Sequence, residues 1–372
     1  MAKKAYVGVD GVARKVKKQY IGVDGVARKI KRAYVGVGGV ARLWWSGGEL
    51  AYYGTATDLS KARMQLAATT VDNYALFGGG SSYSTHSTVD AYNESLTKST
   101  ATSLRTSRTG LAATTVGDYA LFGGGSTTRI NATGTKPTNY VDAYNKSLTR
   151  SIPTQLSAAR YYLAATPVGN YALFGGGSGG GTVVDAYDTS LTRTIPTKLS
   201  VDQSNELAAT TVGVYALFGG GGNSEVDAYN TSLTRISATP LKVAKKTVSA
   251  TGVGGYALFA GGRKGTTENS TVDAYNTSLT RISATNLRVG RYSMSATTID
   301  GYALFAGHST STYEDQVDAY DTSLVRTTAT PLSEGRSQMA ATTIGNFALF
   351  GGGYGSSGDS YTKKSVEVYT VA

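Results

Sequence analysis

Seven carboxylates at repeating positions are the residues of this chain best placed to do chemistry: Asp90, Asp142, Asp185, Asp227, Asp273, Asp318 and Glu367, each the second residue of a VDAY or VEVY tetrapeptide. Repeated acids can ligate a metal ion or move protons. An internal carboxylate without such a duty needs a cation beside it instead. A cation is at hand, because Arg63, Arg108, Arg160, Lys245, Arg291 and Arg336 precede six of the seven, with Gln203 standing at the seventh. Seven copies spread around one scaffold lie too far apart to share an ion. The acids therefore read as structural partners of the basic residues, and no metal is expected.

Other chemistry is sparsely provided. The chain has no cysteine, which removes thiolate ligands, disulfides and cysteine nucleophiles. Its two histidines, His86 and His308, each stand alone in a loop and read as solvated side chains. Glycine triplets suggest a phosphate loop, but such a loop runs through Gly-Lys-Ser/Thr into a helix, and none of these does. Catalytic residues: none. Cofactors: none. The chain is not expected to be an enzyme.

The elements that must position these residues are counted by a second motif. YALFGGG or a near copy begins at Tyr74, Tyr119, Tyr171, Tyr215, Tyr256, Tyr302 and Phe347, at spacings of 45, 52, 44, 41, 46 and 45 residues. That period suits a four-stranded blade. Within the first unit, Leu66 to Val71, Tyr74 to Gly79, Val89 to Tyr92 and Leu96 to Leu104 read as four strands, separated by turn residues. Links such as VDN, VGD and NESL force tight antiparallel turns. Seven such units predict an all-β, seven-bladed β-propeller.

These motifs resemble the kelch repeat: an aliphatic-aromatic strand ending in a glycine pair, a variable loop, an acidic strand ending in Tyr, then an arginine before the next unit. The resemblance covers roughly residues 50 to 372. It departs from the family in the fourth strand, where Leu96, Leu148, Leu191, Leu233, Leu279 and Leu324 stand in place of the usual tryptophan. It departs also from galactose oxidase, the kelch enzyme whose copper site requires a cysteine. The Asp boxes of sialidase propellers are missing too.

The last unit stops at VYTVA and has no fourth strand of its own. GTATDLSKAR, from Gly54, aligns with ISATPLKVAK, from Ile236, so residues 51–59 are expected to supply the outer strand of the last blade. The predicted organisation is a tail over 1–45 and a propeller over 46–372, the strand from before the first blade closing the ring and removing two open edges.

The tail carries most of the charge. Residues 1–45 hold eleven Lys or Arg against two Asp, a net +9 out of the chain's +11, which leaves +2 for the propeller. It repeats with a period of 14: AYVGVDGVARKVKK, QYIGVDGVARKIKR and AYVGVGGVARLWW. Asp-Gly or Gly-Gly between valines signals a two-residue hairpin turn, so three short β-hairpins are predicted. One face of each is apolar. The other carries Tyr6 with Lys15, and the docking candidates continue through Tyr20, Lys29, Tyr34, Arg42, Trp44 and Trp45. A hairpin of this size cannot bury such a face alone, so the tail is expected to dock: on its sisters, on another copy of the chain as a homo-oligomer, or on a larger assembly. It resembles glycine-valine-basic repeats of bacteriophage and prophage tail-associated proteins, which implies a virion localisation with other virion or tail proteins as partners. Nucleic acid is disfavoured because the charges follow the hairpin period and sit among valines. Neither a signal peptide nor a membrane span is expected.

Between units, the loop joining the second and third strands changes most. Together with the links between blades it forms one face of the disc, and the invariant turns form the other. The candidate ligand residues on that variable face are Tyr83, His86, Arg129, Tyr140, Tyr161, Tyr162, Arg263, Tyr292, His308, Tyr313, Tyr354 and Tyr361. Tyrosine among Ser, Thr and Asn suits stacking combined with hydrogen bonding. The sequence thus predicts a non-enzymatic virion component that displays this face to a host-surface glycan or protein. The alternative is a cellular kelch-type interaction scaffold with a basic tail.

Overall fold

A computed structural model describes residues 48–130, 134–204, 206–308, 315–355 and 361–371, together with the backbone of six strands between residues 6 and 46. The described residues form seven four-stranded antiparallel sheets and include no helix. Their inner strands, from Ala67–Val71 in the first blade to Ala340–Ile344 in the last, pack side by side in a closed ring, the last against the first. The chain is a seven-bladed β-propeller.

Each blade is wired by the same register. In the first, Thr69 faces Leu76, Leu76 faces Ala91 and Ala91 faces Ser99. Alternation puts Leu76 and Ala91 into the interface with one neighbouring blade and Phe77 and Tyr92 into the other, so the core consists of seven clusters between blades. Phe77 meets Tyr92 edge-on, with ring centroids 5.8 Å apart. The glycines of the repeat are required here: a Cβ on Gly78 would lie 2.7 Å from the Phe122 ring of the next blade, and Gly79 sits at φ +69°. They serve packing and turning, as the sequence suggested.

The fourth-strand leucines have a structural explanation. Leu96, Leu148, Leu191, Leu233, Leu279 and Leu324 all adopt left-handed φ between +58° and +62°. The side chain of the preceding Asn or Asp holds each turn; Asn93 Oδ1, for example, accepts from the amides of Ser95 and Thr97 at 3.0 and 2.9 Å. Leu96 then packs into the cluster shared with the neighbouring blade. The fourth strand itself is shorter than expected, running Lys98–Ala101 in the first blade.

Leu50–Ala56 forms the outer strand of the last blade, paired with Val366–Val371. It starts one residue and ends three residues earlier than the predicted 51–59. The register slips between Val368 and Tyr369, where Tyr53 has no partner and instead rests on Phe347 at 4.9 Å. Ahead of this strand the backbone forms three separate two-stranded hairpins, with Val9 opposite Val12, Val23 opposite Val26 and Val37 opposite Val40. Tyr6 faces Lys15 and Tyr20 faces Lys29, as the turn positions dictate. In the third hairpin Tyr34 faces Leu43, Val35 faces Arg42 and Ala33 faces Trp45, so Trp44 is the extra residue of a bulge. No helix among the described residues is long and apolar enough to cross a membrane.

Candidate functional site

The repeated acids are structural, and their wiring has two layers. The basic residue ahead of each blade reaches the acid from inside: Arg63 to Asp90 and Arg108 to Asp142 at 2.7 Å, Arg160 to Asp185 and Arg291 to Asp318 at 2.5 Å, Lys245 to Asp273 at 3.3 Å, and Arg336 to Glu367. Burial lowers the pKa of Arg63, Arg108, Arg160 and Arg336, and the nearby carboxylate opposes the shift. A second arginine, from the SLTR segment, approaches from the outer edge: Arg150 to Asp142 at 3.6 Å, Arg193 to Asp185 at 3.8 Å, Arg235 to Asp227 at 2.9 Å, Arg281 to Asp273 at 3.3 Å and Arg326 to Asp318 at 3.1 Å. In the fourth blade, where Gln203 replaces the inner cation, Asp227 relies on Arg235 and on the Ser200 amide and hydroxyl at 2.8 and 3.0 Å.

Two residues beyond the inner cation, or three in the fourth blade, the chain makes a feature that sequence reasoning missed. Gln65, Gly110, Tyr162, Glu206, Thr247, Ser293 and Gln338 each directly precede the apolar residue that leads into an inner strand, and all seven have φ between +51° and +64°. Amide-to-carbonyl bonds run from one blade to the next: Gly110 to Gln65, Tyr162 to Gly110, Thr247 to Glu206, Gln338 to Ser293 and Gln65 to Gln338, all 2.8 to 3.1 Å. The result is a ring around the propeller axis on the variable face. It encloses a cavity of about 190 Å³, with Leu66, Leu111, Leu163, Leu207, Val248, Met294 and Met339 beneath it. Six residue types at the seven positions hid this ring in the sequence. The signal was positional, a fixed offset from the inner cation.

The polar groups of the ring are partly connected. Gln65 Nε2 donates to the Tyr162 hydroxyl at 2.5 Å, and Thr109 Oγ1 donates to Gln65 Oε1 at 3.2 Å. Thr247 Oγ1 donates to Glu206 Oε2 at 2.7 Å. Burial raises the Tyr162 phenol pKa well above its ordinary value, with Glu206 and Tyr161 adding to the effect. Gly110 is fixed by its neighbours, since a Cβ there would lie 2.4 Å from Ile130 and 3.3 Å from the Tyr162 ring.

Of the candidate ligand residues, Tyr162 alone lines this cavity, and its ring lies 5.3 Å from that of Tyr161. Arg263, Tyr292 and His308 are brought together: the Arg263 guanidinium sits 4.7 Å over Tyr292, whose ring meets that of His308 edge-on at 5.8 Å. Tyr354 stacks on Tyr361 at 5.7 Å. Tyr140 lies under Arg105 at 3.7 Å, an arginine the sequence did not single out. His86 shares a 2.8 Å hydrogen bond with Ser82. Tyr83 and Arg129 are exposed at separate loops. Tyr313 lies outside the described residues, as do the side chains of Tyr6, Lys15, Tyr20, Lys29, Tyr34, Arg42, Trp44 and Trp45.

His308 corrects the reading of solvated histidines. It is 2% exposed, its Nδ1 accepts from the Tyr292 amide at 3.3 Å, and its Nε2 lies 3.5 Å from Glu268. Burial and the Arg291 charge push its pKa down to about 4, so the ring is neutral at pH 7 and the Glu268 contact is not an ion pair there.

No family model matches the chain, and no curated protein matches it. Solved structures do. The chain is similar to a fungal alcohol oxidase of the AA5 family in complex with copper, with a TM-score of 0.65 and 14% identity over 87% of this chain and 76% of that one. It is also similar to YjhT, with a TM-score of 0.54 and 9% identity over 84% of this chain and 96% of that one. At these identities the shared property is the propeller fold.

The first likeness corrects the expectation that the chain is no enzyme: this architecture carries an alcohol oxidase, so the propeller does not set enzymes aside. The copper of that neighbour finds no matching donors in the axial ring, which offers the Tyr162 phenol and the Glu206 carboxylate but no imidazole. Among the described residues no three of His, Cys, Asp and Glu gather in metal-binding range. No step is therefore routed through copper.

Proposed function

We propose that this chain is a ligand-binding propeller carried on a bacteriophage particle or tail, docked through its basic hairpins and presenting the variable face to a host-surface glycan or protein. One observation carries the reading. Leu50, where the chain enters its outer strand, pairs with Val371 at the end of the last blade's third strand, on the face of the uniform turns. The axial ring and the variable loops occupy the opposite face. The tail is thus attached on one side of the disc and the variable surface is offered on the other, as display from an assembly requires. Loops on a rigid scaffold are where binding residues concentrate, and the paired rings Tyr354–Tyr361 and Arg263–Tyr292 suit flat ligands.

Deletion of residues 1–45 tests the docking half. The truncated chain is expected to fold as a propeller but to be lost from particles purified by sedimentation, whereas normal incorporation would overturn the claim. Binding of the full chain to host cells, and its loss on substituting Tyr354 and Tyr361, tests the display half.

A further inference from the structure

The axial cup presents a negative charge and an unmet acceptor that point to a ligand. Among the described residues Glu206 is the only charged one that lines it, and its carboxylate receives from them one side-chain hydrogen bond, that of Thr247. Gln338 Oε1 is buried without a hydrogen-bond partner. The Tyr162 oxygen already accepts from Gln65 Nε2, which leaves its proton to donate. Ser293 is the remaining hydroxyl on the rim. The charge that faces the recess is thus negative, and a buried acceptor beside it is unmet, which costs free energy. The nearby cations do not restore the balance, because Lys246 and Arg263 do not line the cup and the Arg263 guanidinium lies over Tyr292.

Size narrows the choice. An apolar cavity of roughly 150 Å³ takes one benzene ring, so about 190 Å³ takes one substituted six-membered ring. The apolar floor beneath the polar rim suits a ring with one apolar face and hydroxyls at its edge.

We propose that the axial cup binds a hexosamine with a free, protonated amine, such as the terminal residue of a surface glycan. The ammonium sits between Glu206 and Gln338 Oε1, and the ring hydroxyls meet Tyr162, Gln65 and Ser293. A lysine side chain brings the same ammonium but only an aliphatic stem, which leaves the Tyr162 and Ser293 hydroxyls without a partner to donate to. The inference rests on the binding reading above and names the ligand chemistry of one part of that face.

Calorimetric titration of the full chain with glucosamine and with glucose tests it, at a pH below about 7, where an amine of α-amino character is protonated. Glucosamine is expected to bind at least about tenfold more tightly, the effect of one charge-assisted hydrogen bond. Glu206→Gln should bring the ratio close to one while leaving the thermal melt unchanged, and Gln338→Leu should reduce it. Equal binding of the two sugars, no binding of either, or a preference that survives Glu206→Gln would each overturn the proposal. The wild-type comparison decides alone if a variant does not fold. Tighter binding of Nα-acetyl-lysine amide than of glucosamine would overturn the sugar in favour of a protein side chain. Host-cell binding without glucosamine preference would sink this inference and spare the display reading. Glucosamine preference without cell binding would do the reverse.

Discussion

Tyr52 donates a 2.6 Å hydrogen bond to the carboxylate of Glu367, joining positions 315 residues apart. In register Tyr52 faces Tyr369, the position that Arg150 takes against Tyr144 in the second blade. The closing strand therefore replaces the outer arginine with a neutral donor, and the longer Glu367 replaces the aspartate of the other blades. Burial, with Glu367 next, pushes the Tyr52 pKa up to about 12.

Tyr52→Phe should destabilise the propeller by about 1.5–3 kcal/mol, the usual range for a hydrogen bond to a charged group. Thermal or urea unfolding of the two chains measures this. A change below the error of the melt would mean that Arg336 and Ser333 suffice to hold Glu367.

The fourth blade should tolerate loss of its acid better than the third. Asp185→Asn strands the buried Arg160, at a cost of about 3–5 kcal/mol. Asp227→Asn leaves only the partly exposed Arg235 without its partner, at a cost of about 1–2 kcal/mol. Equal losses in unfolding free energy would argue against the inner cation as the source of the difference.

Leucine at φ +62° should invert a common mutational order. Glycine normally costs about 0.5–1 kcal/mol more than alanine inside regular structure. At Leu191 both variants lose the same half-buried packing, but glycine also releases left-handed strain of about 1–2 kcal/mol. Leu191→Gly is expected to melt above Leu191→Ala.

His308 should make stability fall in acid. Its folded pKa of about 4 lies below the unfolded value near 6.5. Both states are therefore neutral above about pH 6.5. As the pH falls towards 4 the unfolded chain takes up the proton first, so stability is lost across that window, on the order of 3 kcal/mol, and not further below it. His308→Phe should flatten this part of the unfolding-against-pH curve, and an unchanged slope would assign it to carboxylates instead.

Much of this architecture could be read from motifs that recur in type. The blades follow from YALFGGG, and the ion pairs follow from acids and arginines that keep their identity. Even the closing strand was visible, because Gly54 to Arg63 copies a segment from inside another blade. The axial ring was not visible, because what repeats there is a backbone angle. Gly110 alone belongs to a residue type that favours left-handed φ, whereas Thr247 is among the types that resist it. The outer arginines were overlooked for another reason: SLTR reads as the start of the fourth strand, and only the structure shows its arginine reaching back to the acid. His308 was misread because sequence records that a residue lies in a loop, not that Tyr292 covers it.

The bonds described between neighbouring ring positions pass through backbone amides and carbonyls, so the side chains at those positions take no part in that wiring. The chain demonstrates the consequence within itself, carrying amide, hydrogen, phenol, carboxylate and hydroxyl at equivalent places. Such a rim behaves as an interchangeable keyway: substitutions at residues 65, 162, 206, 247, 293 and 338 can recut what the cup accepts while the disc that holds it keeps its shape.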